Sequence, residues 1–355
     1  MLRRDFLSAL STTSALLATD LQTAAESPTK PRIKVGQIGV SHGHANKLAV
    51  YRKSADYEVV GVVEPDIARR KQAEATTAFA GLKWLTREEL LNIPGLQAVL
   101  VETDICDLLG HAEACVAAGM HVHVDKPAGE SVAHLRRILA AADKKKLLVQ
   151  TGYMYRYNPG VVLIREFLKK GWLGDVFEVH AVMSKVVEPA ARRAFAEYPG
   201  GIMFELGCHM IDLVVGVLGK PTAVVSQAQH VAKVDDKLLD NMLATLTYPK
   251  AIATVKASGL EVEGFDRRHL VVCGTEGTVH VQPLDRPVSR IALSMSRAGY
   301  KKGYQEVTFP KFERYVADAA EMARIVRGEK AGDFSADHDL AVQETLLKAC
   351  GLAAK

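Results

Sequence analysis

At 355 residues the chain is longer than one hydrophobic core comfortably serves, so two domains are expected; 48% hydrophobic and 24% charged residues is ordinary globular composition. Part of the formal charge of +4 comes from the extreme N-terminus, and the other Lys and Arg alternate with acids instead of forming a basic stripe with interleaved aromatics, which argues against a nucleic-acid partner. The five cysteines, Cys106, Cys115, Cys208, Cys273 and Cys350, are odd in number and contain no CxxC pair; they read as small buried residues, and no disulfide is predicted.

The first residues read as an export signal. Arg3-Arg4-Asp5-Phe6-Leu7 is a paired-arginine start, residues 8–19 are uncharged and too short to span a bilayer, and small residues around Thr23-Ala24-Ala25 suit a peptidase. The expectation is a leader over 1–25, a linker over 26–32, no stable membrane insertion and a periplasmic destination. Without the signal the protein would stay in the cytoplasm.

Residues 33–38 form an apolar run that meets Gly39-Val40-Ser41-His42-Gly43-His44 and then a stretch rich in Ala, Lys and Leu, which predicts strand, tight turn and helix. A second strand, 58–63, runs into Glu64-Pro65-Asp66 and a helix over 67–79. Further strands are predicted over 98–101, 121–124 and 147–151, separated by helices over 108–118 and 131–146. That alternation indicates βαβ units and a parallel sheet. Beyond Gly152 the texture changes. Helices over 160–170 and 203–218 flank a strand over 176–183, and strands then follow in succession over 224–230, 242–248, 252–259, 269–273 and 279–282. Their alternation gives one packed and one wet face, mostly antiparallel. Helices over 312–327 and 336–353 end the chain. The fold class is α/β. It comprises an N-terminal Rossmann-type parallel-sheet domain over 33–151, a C-terminal α+β domain over 152–330 with a large, mostly antiparallel open sheet, and a final segment, 331–355, whose helix packs back on the body.

Three constellations carry chemistry. Asp125-Lys126-Pro127 closes the run before it; proline cannot extend the ladder, so Lys126 is displayed where an open parallel sheet binds ligands. The Gly-rich turn at Gly39 is a degraded dinucleotide fingerprint, with Ser41 for the second glycine, Gly43 one place early and His44 in the third position. Glu64, ending the second strand, is placed to accept hydrogen bonds from a ribose and to repel a ribose phosphate, which favours NAD over NADP. On the segment after Gly200-Gly201, Glu205, His209 and Asp212 fall at i, i+4 and i+7, on one face of an otherwise apolar helix, where charge is costly unless used or paired. The pairs His42/His44 and His121/His123 have metal-binding spacing, but one lies in the cofactor turn and the other on the strand leading to Lys126, so no metal is expected.

Read together, these residues are similar to the Gfo/Idh/MocA family. The resemblance rests on His111, Ala118-Gly119-Met120-His121, Asp125-Lys126-Pro127, Arg156-Tyr157-Asn158-Pro159, and Gly200-Gly201 through His209 and Asp212. It implies an NAD(P) domain, a C-terminal sheet that builds homo-oligomers, and a carbohydrate or polyol substrate. By resemblance, Lys126 binds the reacting hydroxyl, His209 is the general acid/base, and Glu205 stands where the family usually has Asp. Cofactor contacts would come from Gly39, Ser41, His42, Gly43, Glu64, Thr103, Asp125, Lys126 and Pro127, and substrate contacts from Tyr155, Arg156 and Asp212. The family's usual Thr-Pro-Asn after the fourth strand is here Thr103-Asp104-Ile105, with extra residues before His111. The expected reaction is hydride transfer between a nicotinamide cofactor and a secondary hydroxyl of a sugar, sugar acid or cyclitol, with the Lys126 pKa falling beside oxidised nicotinamide. One alternative is a glycosidase or lyase with tightly bound NAD in an oxidation, elimination and reduction cycle; a second is a non-enzymatic sugar-binding or sensing protein.

Overall fold

The apolar runs of the N-terminal half pair side by side, each covered on both faces. The computed structural model describes residues 30–353, so the predicted leader lies outside the described residues. Five parallel strands, β1 (Ile33–Ile38), β2 (Tyr57–Val63), β3 (Leu96–Val101), β4 (His121–Val124) and β5 (Val149–Thr151), lie in the order β2-β1-β3-β4-β5. Because the chain leaves β1 for one side and returns for β3 on the other, the carboxyl ends of β1 and β3 flank a topological switch point, where such sheets bind ligands. Helices Ile105–Ala117 and Val132–Lys144 cover one face with Leu108, Ala112, Leu135 and Ile138, all buried.

The second sheet has eight strands: β6 (Val176–Ser184), β7 (Ala223–Gln229), β8 (Asn241–Thr247), β9 (Ile252–Ser258), β10 (His269–Gly274), β11 (Gly277–Val281), β12 (Val288–Leu293) and β13 (Gly303–Thr308). Their order is β13-β12-β11-β10-β6-β9-β8-β7, antiparallel throughout except that β6 and β9 run parallel. Side chains alternate across the pleat as expected: Met242, Ala244 and Leu246 are buried while Leu243 and Thr245 are half-buried on the open face. Helices Pro159–Lys169 and Cys208–Leu218 pack on the closed face.

Several elements depart from the sequence reading. β12 and β13 lie beyond the last predicted strand; β13 is an edge strand with Tyr304 85% exposed, so it carries little hydrophobic signal. Helix Pro189–Ala196, with proline in its first turn, and helix Arg87–Leu91 were also unpredicted. The second opens on a capping box between Thr86 and Glu89, a signature visible in the sequence. The helix expected over 312–327 begins only at Val316; its Ala319, Met322 and Ala323 return to the first domain, packing with Tyr51 and Tyr57. Among the described residues no helix is long and apolar enough to cross a membrane, and all five cysteines are free.

Candidate active site

Lys126 leaves the end of β4 and is fully buried. Its Nζ donates to the main-chain carbonyl of Glu205 and to Glu205 Oε1, each at 2.9 Å, so two of three ammonium donors are used and one is free for a further acceptor. Burial pulls its pKa down, the direction expected beside a nicotinamide. In this structure Glu205 outweighs that pull and holds the ammonium above its ordinary range.

The segment expected to be one regular helix over 203–218 is not one. Met203–Gly207 forms a π-turn, bonded i to i+5, before the α-helix Cys208–Leu218 begins. The single stripe expected of Glu205, His209 and Asp212 is therefore broken, and the three go to different partners. Glu205 reaches Lys126. His209, 1% exposed, sits among the rings of Tyr155 at 5.7 Å, Tyr153 at 6.0 Å and His44 at 6.0 Å. Its Nδ1 has no hydrogen-bond partner among the described residues. Burial, then the charge of Lys126 and the neighbouring His44, push its pKa well below the usual imidazole value, so it is a neutral base at neutral pH. Asp212 turns the other way, taking Arg156 Nη2 at 2.6 Å and His338 Nε2 at 3.0 Å. Arg156 also donates to Asp339 at 2.5 Å and stacks on Phe334 at 4.1 Å. Arg156 and Asp212 thus tie the final helix, Ala336–Ala349, to the helix of His209. Tyr155 donates its hydroxyl to Asp285 at 2.9 Å.

Beneath Lys126 lies a buried polar network. Asp125 takes His42 Nδ1, His44 Nδ1 at 3.3 Å and Lys47 Nζ at 3.2 Å. Against the cost of burial, His42, Lys47 and His44 hold its carboxyl well below the ordinary range. Lys47 also donates to Glu102 Oε1 at 2.8 Å and contacts His123 Nε2 at 2.9 Å, and His123 Nδ1 meets Gln150 at 2.9 Å. Burial lowers His44 to about 4 and His123 to about 3, so both rings are neutral. The two His-x-His pairs do not act alike: His42 and His44 gather on Asp125, whereas His121 instead accepts the Leu148 N–H.

Asp318, at the edge of this network, is nearly fully buried with Oδ2 unpartnered, and burial lifts its carboxyl to about 7. A group raised in the folded state contributes stability at low pH and loses it as pH rises through that value. D318N is therefore expected to stabilise the fold by about 3 kcal/mol more at pH ~8 than at pH ~5. Thermal melts at the two pH values check it; equal effects at both would refute it.

The cofactor-side residues line a separate cleft at the switch point, a cavity of about 580 Å³ bordered by Gly39, Ser41, Glu64, Thr103, Asp104 and His111, among others. Gly39 has φ +89°, and a Cβ there would lie 2.7 Å from the Glu102 carbonyl oxygen, so the turn admits only glycine. Gly43 has open space around it and no such requirement. Glu64 takes the main-chain N–H groups of Val40 at 3.2 Å and Asp66 at 3.0 Å, fixing the turn from the second strand. His42 faces Asp125 rather than this cleft, and Pro127 is buried behind Lys126. The glycine that must be glycine, the acid at the end of β2 and a cleft of this size fit a dinucleotide. Gly39, Ser41, Glu64 and Thr103 would hold it.

Lys47, Glu102 and Asp318 were not singled out by sequence. Glu102 carried a usable signal, since like Glu64 and Asp125 it directly follows an apolar strand. Lys47 carried none, because a lysine in a short helical turn ordinarily faces water.

Residues 33–153 match the family described as "Oxidoreductase family, NAD-binding Rossmann fold", and residues 161–280 match "GFO/IDH/MocA C-terminal domain". The chain is 27% identical over 166 residues to scyllo-inositol 2-dehydrogenase (NADP(+)) of Bacillus subtilis, covering 46% of each. It is 25% identical over 230 residues to human trans-1,2-dihydrobenzene-1,2-diol dehydrogenase, covering 64% of this chain and 67% of that protein. These matches span from about half to two thirds of the curated relatives. The structure of an oxidoreductase from Agrobacterium radiobacter in complex with NAD+, L-tartaric acid and magnesium superposes with TM-score 0.77 at 14% identity, over 90% of this chain and 97% of that one, a likeness of fold. With one match over residues 33–153 and another over residues 161–280, the chain belongs to the Gfo/Idh/MocA family of oxidoreductases.

Proposed function

We propose that the protein is an NAD-dependent dehydrogenase acting on a secondary hydroxyl of a sugar, sugar acid or cyclitol. The observation that carries this reading is a buried ammonium, Lys126, held on Glu205 of the same segment as a buried neutral imidazole, His209, and near enough to lower the proton affinity of that ring. Oxidation of a secondary alcohol to a ketone removes a hydroxyl proton and a hydride. The bound dinucleotide supplies the hydride acceptor. His209 takes the proton, since a neutral imidazole is a competent base near neutral pH. The free donor of Lys126 binds the hydroxyl oxygen, and its charge stabilises the alkoxide that develops, an effect strongest in a dry site. Glu205 positions Lys126 and keeps it charged.

NAD is favoured over NADP because Glu64 ends β2 beside the cleft and two of the arginines lining it are engaged, Arg69 with Asp104 at 2.7 Å and Arg70 with Glu74 at 2.9 Å. The open face of the second sheet exposes Val225 and Ile252, and a second copy of the chain would cover them. The paired Arg3 and Arg4 support export to the periplasm.

The test is turnover of a polyol panel with added NAD or NADP, read as near-ultraviolet absorbance, beside mass spectrometry of protein purified natively and then denatured. Accumulating NADH, with kcat/KM for NAD at least about tenfold above NADP, is the expected result. Retained dinucleotide with product formed but no net NADH would replace this reading with the internally recycling glycosidase or lyase.

A further inference from the structure

We propose that His44, held on Asp125, is the relay that carries the alcohol proton from His209 out to water. This deepens the dehydrogenase reading and rests on it for the source of the proton.

An imidazole that takes a proton in every turnover must also lose one. His209 is 1% exposed, leaves Nδ1 buried without a partner and feels the charge of Lys126, so an imidazolium there is poorly stabilised. Among the described residues, three aromatic rings stand with centroids within 6.0 Å of it. Tyr153 and Tyr155 are sealed in the core, and burial pushes both hydroxyls up, so they keep their protons. The third ring is His44.

His44 differs in both respects, being a base and having a side chain 16% exposed. Its Nδ1 lies 3.3 Å from Asp125 Oδ1, and because Asp125 is an ionised carboxylate that can only accept, Nδ1 carries the hydrogen. Nε2 therefore holds the lone pair. It makes no hydrogen bond among the described residues and is not sealed from solvent. The imidazole that stands in place of the fingerprint's third glycine thus faces a carboxylate through one nitrogen and leaves the other open.

The ring is packed on further sides. His42 meets it edge-on at 4.9 Å, and Tyr315 lies 5.8 Å away. Tyr315 sits at φ +69°, a backbone state that a tyrosine keeps where its surroundings hold it, and its ring also covers Lys47 Nζ at 5.3 Å.

Centroids 6.0 Å apart leave a gap between His209 and His44 that one water molecule can bridge. The N–H bond formed on His209 when the alcohol is oxidised breaks, a new one forms at His44 Nε2, and that proton passes to water. Nδ1 keeps its own proton on Asp125 throughout. Burial, Lys126 and His42 oppose charge on the His44 ring while Asp125 favours it, so the charged state is brief and both rings end the cycle neutral.

Oxidation of the best polyol with NAD by H44A is expected to run at least about tenfold slower than wild type, and added imidazole should restore part of the rate, with rescue by a series of small bases following their pKa. The wild type should be indifferent to those bases. A companion measurement needs no substrate. Exchange of the His209 ring N–H with water, followed by NMR of protein carrying isotope-labelled histidine and assigned by its loss in H209N, should slow at least about tenfold in H44F. Melting temperatures of both variants show that the fold is kept. H44A at the wild-type rate overturns the relay, because His209 then loses its proton straight to water; H44A slowed but untouched by any base overturns it too, because His44 then only packs. Slowed exchange in H44F with no polyol oxidised by the wild type would sink the dehydrogenase reading and leave the relay standing, whereas NADH formation with H44A unimpaired and exchange unchanged would do the reverse.

Discussion

Replacing Lys126 with methionine is expected to lower kcat/KM for alcohol oxidation by about 100- to 1,000-fold, the loss typical when one preorganised donor to a developing oxyanion is removed. The same change leaves the Glu205 carboxylate, 7% exposed, without its ammonium. An unpaired buried charge costs on the order of 3 kcal/mol, so K126M should also melt earlier. Adding E205Q separates the two effects. The double variant K126M/E205Q should recover most of the lost melting temperature, because the stranded charge is gone, and none of the lost rate. Recovery of rate along with stability would mean that Lys126 matters only as a structural partner for Glu205.

The second large effect is at His209. H209N should lower kcat by about 100- to 10,000-fold, the range for loss of a positioned general base. The pH profile is the sharper readout. Burial, Lys126 and His44 hold the imidazole pKa well below its usual value, so wild-type kcat/KM should stay level through neutrality and fall only in acid. In H209N that acid limb should vanish and the residual rate should rise with pH as hydroxide substitutes. Stability follows the same sign. The unfolded imidazole takes a proton below about 6.5 while the folded one does not, so the wild type should lose stability relative to H209N as pH falls below that value. A wild-type profile with its acid limb at or above the ordinary imidazole value would contradict the burial argument.

Much of the fold was readable because the apolar runs ending in Glu64 and Asp125 are bounded by charge and proline, and strands covered on both faces leave that pattern. β13 escaped because an edge strand buries little, so its alternation is faint, whereas β12 is an inner strand whose Ser289, Ile291 and Leu293 are buried and whose alternation was readable. Lys126 was legible because proline follows it. The partner of Lys126 was harder. Local α-helical spacing puts Glu205 and His209 on one stripe, and only the π-turn at Met203–Gly207 sends Glu205 to the lysine and His209 to the tyrosines. Helical periodicity cannot foresee a local change of period. Nor could it show that Arg156 and Asp212 satisfy each other, because that pairing also needs Asp339, far along the chain. The network under Asp125 was invisible for a similar reason. His42, Lys47, Glu102 and His123 come from separate strand ends and helices, and only the parallel sheet brings them together.

A double-mutant cycle in kcat/KM over K126M and H209N, with the oxidised polyol and NAD, bears most directly on whether an amine and an imidazole from opposite domains work on one hydroxyl. Groups that share a reacting atom are strongly non-additive, so the double variant should be about as slow as the slower single variant. Losses that multiply in full would place the two residues at independent tasks and contradict the shared carbinol.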